Sequence, residues 1–325
     1  MTALVLTPGN LQWLGLAVES TPGTPAAAPT VFVPIDSPKW GAKITALVDQ
    51  ALRGFMGADY QQAQGSRMDE VSYKTYMYPS SFFTHLRAIL GGTDTVTGSA
   101  DPWTHKVSLL NTAALPTYTA WLAMGDGKSM QVPGMVLGDL KITVKANELP
   151  TIDVSWTGLS AAIVTSPTNT PATDAPMPPF TANITVGGAN LGKYTDMSLD
   201  FKRNVQPVLT LNGTANPSSI YSGVLSVTGT TNAVFSGTAD SDLTNLLTNG
   251  QPALVLTINP QGDAVHKATI QCSKIAYDSS DPQPSQNGYM TISNAFKALL
   301  NATDALDGKM SPVQVQLLNT AATPL

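Results

Sequence analysis

Apolar and polar positions alternate along most of this chain with a period of two, the signature of half-buried strands. "VSYKTYMY" (71–78) is one such run. "PTYTAWLAM" (116–124) and "GDLKITVKANELPTIDVSWTGLSA" (138–161) read as three more strands, with turns at 125–127 and 147–150. Two segments break the alternation. In "YPSSFFTHLRAILGG" (78–92), Phe82, Leu86, Ile89 and Leu90 fall near helical spacing. Ser80 or Ser81 can cap that helix and Gly91-Gly92 end it. "GTADSDLTNLLTNG" (237–250) repeats the design, with Asp240 or Ser241 as cap, Leu243, Leu246 and Leu247 as the buried stripe and Gly250 as the stop.

The elements around the two helices recur in the same order: strands, a long polar loop, a strand, one helix, then three strands. Residue identity between the halves is low, so the duplication rests on that order. It divides the chain into an N-terminal arm (1–30), a first unit (31–163), a Pro-rich linker (164–180), a second unit (181–301) and a C-terminal arm (302–325). The arm at 302–325 reads as a docked strand or a loose end. The first unit carries an extra segment after its helix, at 93–115. The predicted fold is mainly β: two tandem sandwich- or barrel-like units, each with one short flanking α-helix covering a sheet face. The loop-like stretch 49–70 is polar and Gly-rich, yet holds Phe55, Met56 and Tyr60. Such a cluster either folds back on its own domain or anchors a neighbour in an oligomer.

Composition sharpens this picture. Charged residues make up 12% of the 325, about half the roughly 25% typical of soluble domains. That suits a surface largely buried against copies of itself. The net charge of −5, with no basic run, argues against tight nucleic-acid binding, which needs clustered Lys and Arg. Cys272 is the single cysteine, so no intrachain disulfide exists, and its alternating surroundings make it a small core residue. The N-terminal run has no basic region ahead of it, and Pro8 and Glu19 interrupt it, a poor match to a secretory signal. No apolar segment reaches 18 residues, so no transmembrane helix is predicted.

Reaction chemistry leaves no signature. His85, His105 and His266 have no second His or Cys at metal-ligand spacing. A nucleophile elbow and a phosphate loop are both missing, and "AMGDGKS" (123–129) reads as a hairpin turn. The acids of "MDE" (68–70) and "YDSSDP" (277–282) sit in loop-like segments, where turn capping is the ordinary role. No enzyme activity, cofactor or metal is predicted.

Several segments together resemble the tail tube (major tail) proteins of long-tailed, siphovirus-type bacteriophages. "GLAVESTPGTPAAAPTVFVPIDS" (15–37) is similar to the family's opening. "FFTHLRAILGG", "WTHKVSL", "PTYTAWLA" and "GMVLGDLKITVKANELPTIDVSWTGLSA" follow its order of helix, strands and closing hairpin. "DMSLDFKRNVQPV" and "YSGVLSVTGTTNAVFSG" resemble the same pattern again. The resemblance implies units that form rings around a lumen, stacked into a virion tail tube that conducts DNA at ejection. It implies a partner list of other copies of the chain, the tape measure, terminator and tail-tip proteins, and DNA only in transit, with no membrane. Assembly would take place in the host cytoplasm. A ring would hold six chains or, with two units per chain, three chains in pseudo-sixfold symmetry. Loops 49–70 and 206–223, with Phe55, Met56 and Tyr60, are the candidate ring-to-ring contacts, and an acidic or neutral lumen is expected. The competing reading is a virion or cell-surface β-sandwich adhesin that binds carbohydrate, with some of Trp13, Trp40, Trp103, Trp121 and Trp156 forming an exposed platform.

Overall fold

The computed structural model describes residues 6–111, 115–211, 213–286 and 288–325. The chain runs through β1 (Leu14–Val18), β2 (Val31–Val33), β3 (Asp36–Asp49) and β4 (Gln61–Tyr76) into α1 (Phe82–Leu90). Next come β5 (Thr95–Thr97), β6 (Trp103–Ser108), β7 (Tyr118–Ala123), β8 (Lys128–Lys145), β9 (Glu148–Gly158) and β10 (Ala162–Thr165). Beyond the Pro-rich stretch lie β11 (Asn183–Val186), β12 (Ala189–Asn190), β13 (Tyr194–Val208), β14 (Ser219–Val234) and α2 (Ser241–Thr248). β15 (Leu254–Ile258), β16 (Lys267–Cys272), β17 (Ile275–Gln283), β18 (Thr291–Ala298) and β19 (Gln314–Asn319) complete it. The fold is mainly β, in two antiparallel sheets.

Period-two alternation builds the larger sheet. In β9, Ile152, Val154 and Trp156 point into the core while Thr151, Asp153, Ser155 and Thr157 face outward. The long strand β8 serves two neighbourhoods. Its first half pairs with β7 and β10, and its second half with β9 and β13. Eight strands then lie side by side as β3-β4-β9-β8-β13-β14-β18-β17.

That row contains one four-strand arrangement twice. β3-β4-β9-β8 and β13-β14-β18-β17 have the same order, and two of their irregularities coincide. In the β3–β4 pairing β4 bulges so that Gly65 and Ser66 face Thr45, and in the β13–β14 pairing β14 bulges so that Gly223 and Val224 face Asn204. Each bulge includes a glycine whose Cβ would lie 2.9 Å from the facing residue's carbonyl: Gly65 against Thr45, Gly223 against Asn204. The β8–β9 hairpin skips at Gly138 and the β17–β18 hairpin at Asp278. Trp156 and Phe296, both buried, occupy corresponding positions opposite Leu137 and Tyr277.

Each helix lies on the corresponding strand, α1 on β8 and α2 on β17. They hold on differently. α1 buries eight of its nine residues, and Gly91 (φ 76°) ends it. The expected serine cap is not made: Ser81 Oγ is buried without a partner, while Ser80 bonds Asp174 through its amide and hydroxyl, each at 2.9 Å. α2 does have its predicted cap, Asp240 accepting from the Asp242 amide at 3.0 Å, but left-handed Asn249 ends it rather than Gly250. Leu247, read as buried, is 76% exposed. Leu243 and Leu246 are half-buried, and a polar anchor holds the helix beside them. Buried Asp242 accepts from Tyr277 at 2.7 Å, Tyr194 at 3.1 Å and Asn294 at 3.2 Å, and pairs with Lys193 at 2.9 Å.

The second sheet runs β12-β11-β15-β16-β19-β6-β5. The C-terminal arm is docked: β19 inserts between β16 and β6. Its end is held by buried Asp94, which accepts from the Leu325 amide and from His105 Nδ1, both at 2.8 Å. At the other end of the chain, β1 is paired on both sides, by β2 and β7, as β11 is by β12 and β15. The Pro-rich stretch is pinned by buried Met177, whose amide bonds the Met77 carbonyl at 2.9 Å.

Two stretches read as loops are strands. Residues 61–70 belong to β4, and 277–282 belong to β17. β4 is exposed on both faces at its start, so no apolar alternation marks it there.

His85 sits in the core of the first arrangement. Trp156 Nε1 donates to the Tyr73 hydroxyl at 3.1 Å, which donates onward to His85 Nε2 at 2.8 Å. His85 Nδ1 then donates to the Ser81 carbonyl at 2.8 Å, a chain that needs the neutral imidazole. Burial pulls its pKa down to about 4, against about 6.5 in an unfolded chain. Between those values the unfolded chain binds more protons, so the stabilisation is complete above about pH 6.5 and is lost as pH falls toward 4. The loss should approach about 3 kcal/mol. Urea midpoints at pH 7 and pH 4.5 test this: His85→Gln should flatten the difference, and an unchanged slope would assign it to other groups.

Candidate assembly surfaces

The tip of the first long hairpin, residues 50–60, is tied at its base. Arg53 pairs with Asp49 at 2.5 Å and stacks 3.9 Å over the Tyr60 ring, and Gln50 bonds Asp59 at 2.8 Å. Beyond these ties Phe55 is 75% exposed and Met56 fully so, as is Leu52. Of the two readings of this cluster, folding back does not describe Phe55 and Met56, while Tyr60 is half engaged by Arg53. The described residues of the second hairpin tip, 209–211 and 213–218, divide: Leu209 and Leu211 are exposed, while Ala215 and Asn216 turn back. The Ala215 carbonyl accepts from the Arg67 amide at 2.9 Å, and Asn216 accepts from Ser160 at 2.5 Å. Residues 215 and 216 therefore lie against the first arrangement of their own chain. Both tips are shorter than the stretches 49–70 and 206–223, whose ends are incorporated in strands.

The eight-strand row has two open edges. β3 pairs only with β4 and β17 only with β18 among the described residues. Long unpaired edges are templates for further strand pairing. The outward face of the row is polar and of mixed sign. Lys39, Lys43, Lys74, Lys141, Lys145, Lys202 and Lys297 are outnumbered by Asp36, Glu70, Asp139, Glu148, Asp153, Asp196, Asp200, Asp278 and Asp281, among many Ser and Thr. Its formal charge is weakly acidic.

Where the two arrangements meet, β8 pairs with β13. Arg203 of β13 crosses the joint: its guanidinium donates to the carbonyls of Ile89 at 2.7 Å and Leu90 at 3.4 Å, at the C-terminus of α1, and to Gly223 at 2.8 Å. A cation suits a helix C-terminus, and burial lowers its pKa to about 10 without neutralising it at physiological pH. A cavity of about 740 Å³ opens beside it, lined by Leu109, Leu110, Leu115, Val136, Val208 and Ile220. Arg203→Ala should lower stability by about 2 kcal/mol, the worth of charged hydrogen bonds left unmade. An unchanged urea midpoint would show the tie to be dispensable.

His266 bridges Asp263 at 2.5 Å and Asp101 at 2.8 Å, and these partners raise its pKa. Cys272 is buried, where desolvation suppresses its thiolate. No group of three or more His, Cys, Asp or Glu could hold a metal ion among the described residues. Sequence reasoning missed Arg203, since a lone Arg in a strand carries no local signal. It also missed β17 as an edge.

These surfaces are those of a mainly β protein with two open sheet edges and an exposed apolar hairpin tip. A family model described as "Phage tail tube protein" matches residues 9–298, across both four-strand arrangements, and the chain belongs to that family. It is thus a component of the virion tail, where such proteins assemble with themselves and with other tail proteins. Comparison with curated proteins gives no match.

Proposed function

We propose that three chains close into a ring of pseudo-sixfold symmetry and that rings stack into the tail tube of a long-tailed phage. Each chain supplies two ring units, the four-strand arrangements β3-β4-β9-β8 and β13-β14-β18-β17, already joined edge to edge by β8 and β13. That internal joint carries the reading. It is a head-to-tail contact between like units, and repetition of such a contact by a fixed rotation closes a ring. With two units per chain, three chains replace six. The polar face of the eight-strand row lines the lumen. Its weakly acidic charge lets DNA slide during ejection, because a basic wall would hold phosphates by counterion release. Phe55, Met56 and Tyr60 on the first hairpin tip contact the next ring. Tape measure, terminator and tail-tip proteins meet the ends of the stack, and assembly takes place in the host cytoplasm.

The adhesin reading has less support, because Trp121 and Trp156 are buried and Trp13, Trp40 and Trp103 are half-buried. Negative-stain electron microscopy of the concentrated protein tests the proposal. Hollow rings or tubes with three-fold end-on averages are expected. Uniform solid particles, or strict six-fold order from six chains, would sink it.

A further inference from the structure

The chain carries its own template for the contact between chains. Resting on the ring reading above, we infer that β17 of one chain pairs antiparallel with β3 of the next in a defined register, with Asp281 opposite Gly41. The register follows from the joint inside the chain. There Lys202 stands opposite Asp139, Asp200 opposite Lys141 and Ser198 opposite Thr143. The shared bulges fix which residue of one arrangement corresponds to which of the other. Thr45 matches Asn204, so Lys43, Gly41 and Lys39 take the places of Lys202, Asp200 and Ser198. Gly138 matches Asp278, so Ser279, Asp281 and Gln283 take the places of Asp139, Lys141 and Thr143. Carrying the internal pairing across gives Lys43 opposite Ser279, Gly41 opposite Asp281 and Lys39 opposite Gln283.

Charge and apolar exposure agree with this register. Residues diagonal across an antiparallel pair share one face, which puts Asp281 between Lys39 and Lys43. In the internal joint the corresponding Lys141 and Asp200 are 3.9 Å apart. The second agreement concerns α2. In the internal joint Arg203 reaches the Ile89 carbonyl near the end of α1. Ile44 corresponds to Arg203 by the bulge, and Leu247 to Ile89 by the left-handed residues Asn249 and Gly91 that end the helices. Ile44 is 51% exposed and Leu247 76% exposed. The same superposition brings these two bare apolar side chains together across the seam, giving an apolar contact where the chain's interior uses a cation on carbonyls. On the core side, Ala42 and Ser280 take the places of Phe201 and Leu140. The seam between chains is thus less apolar than the internal joint, which suits chains that fold first and associate afterwards.

The test is the double variant Gly41→Cys/Asp281→Cys in the full chain, oxidised mildly and run on a non-reducing denaturing gel. No atom lies within 4 Å of a Cβ at Gly41, Asp281 is exposed, and native Cys272 is buried. Most chains should link, in a ladder ending at three. The controls Gly41→Cys/Ser279→Cys and Gly41→Cys/Gln283→Cys, each displaced by two residues, should link several-fold less, and each single variant should stay monomeric. Rings seen by electron microscopy with no link, with stronger linking in a displaced control, or with a dimer from Gly41→Cys alone would overturn the register. A ladder continuing past three would keep the register and overturn the three-chain ring. Absence of both rings and links would overturn the ring reading and this inference with it.

Discussion

A chain lacking residues 52–58 is expected to form rings that no longer stack into tubes. The deleted segment holds Leu52, Phe55 and Met56, the most exposed apolar side chains of the first hairpin tip. None of them contributes to the core cluster, so the ring units should fold without them. Burying such a side chain against a partner yields about 1.5–3 kcal/mol. A ring presents the set once per chain, so the loss is multiplied around the ring. Sedimentation and electron microscopy would read the change as a shift from long particles to single rings. The double substitution Phe55→Asp/Met56→Asp should act alike without shortening the loop. Tubes of normal length from both variants would remove the first hairpin tip from the ring-to-ring contact.

Glu19→Ala is expected to destabilise the fold by about 4 kcal/mol, through buried donors left without acceptors. The Glu19 side chain is buried and accepts four hydrogen bonds. They come from the amides of Gly23 at 2.7 Å and Gly134 at 2.8 Å, and from the hydroxyls of Thr117 at 2.6 Å and Thr119 at 2.8 Å. Those donors belong to the N-terminal connector, the start of β7 and the point where β8 leaves β7 for β9. One side chain thus fixes the place where β8 passes from one neighbourhood to the other. Glu19→Gln keeps the shape but turns a donor toward donors, so it should recover only part of the loss. Urea unfolding of the three proteins decides it. A midpoint shift in Glu19→Ala no larger than that of an exposed Glu148→Ala control would show that the donors find other partners.

Much of the fold was legible in local pattern. The alternation in 138–161 gave β9 and the end of β8, because a strand with one wet face shows its period directly. α1 and α2 were legible because helical spacing and stop residues are local. The readings that failed share a cause. Residues 61–70 have both faces in solvent and 277–282 form an edge, so neither stretch needs an apolar stripe, and both look like loops. Leu247 looked buried because spacing reveals a face, not what covers it.

The sequence by itself determined that this chain is a mainly β protein with two short helices, a sparsely charged surface and an apolar hairpin tip, since each rests on composition or near neighbours. The tertiary structure decided which strands pair, that β19 joins the two halves, that Glu19 and Arg203 are ties, and that β3 and β17 are open edges. Strand pairing joins residues far apart in the chain, and a Thr-rich alternating strand suits many partners equally well. Only the complete set of pairings, with its bulges and the edges left over, selects one.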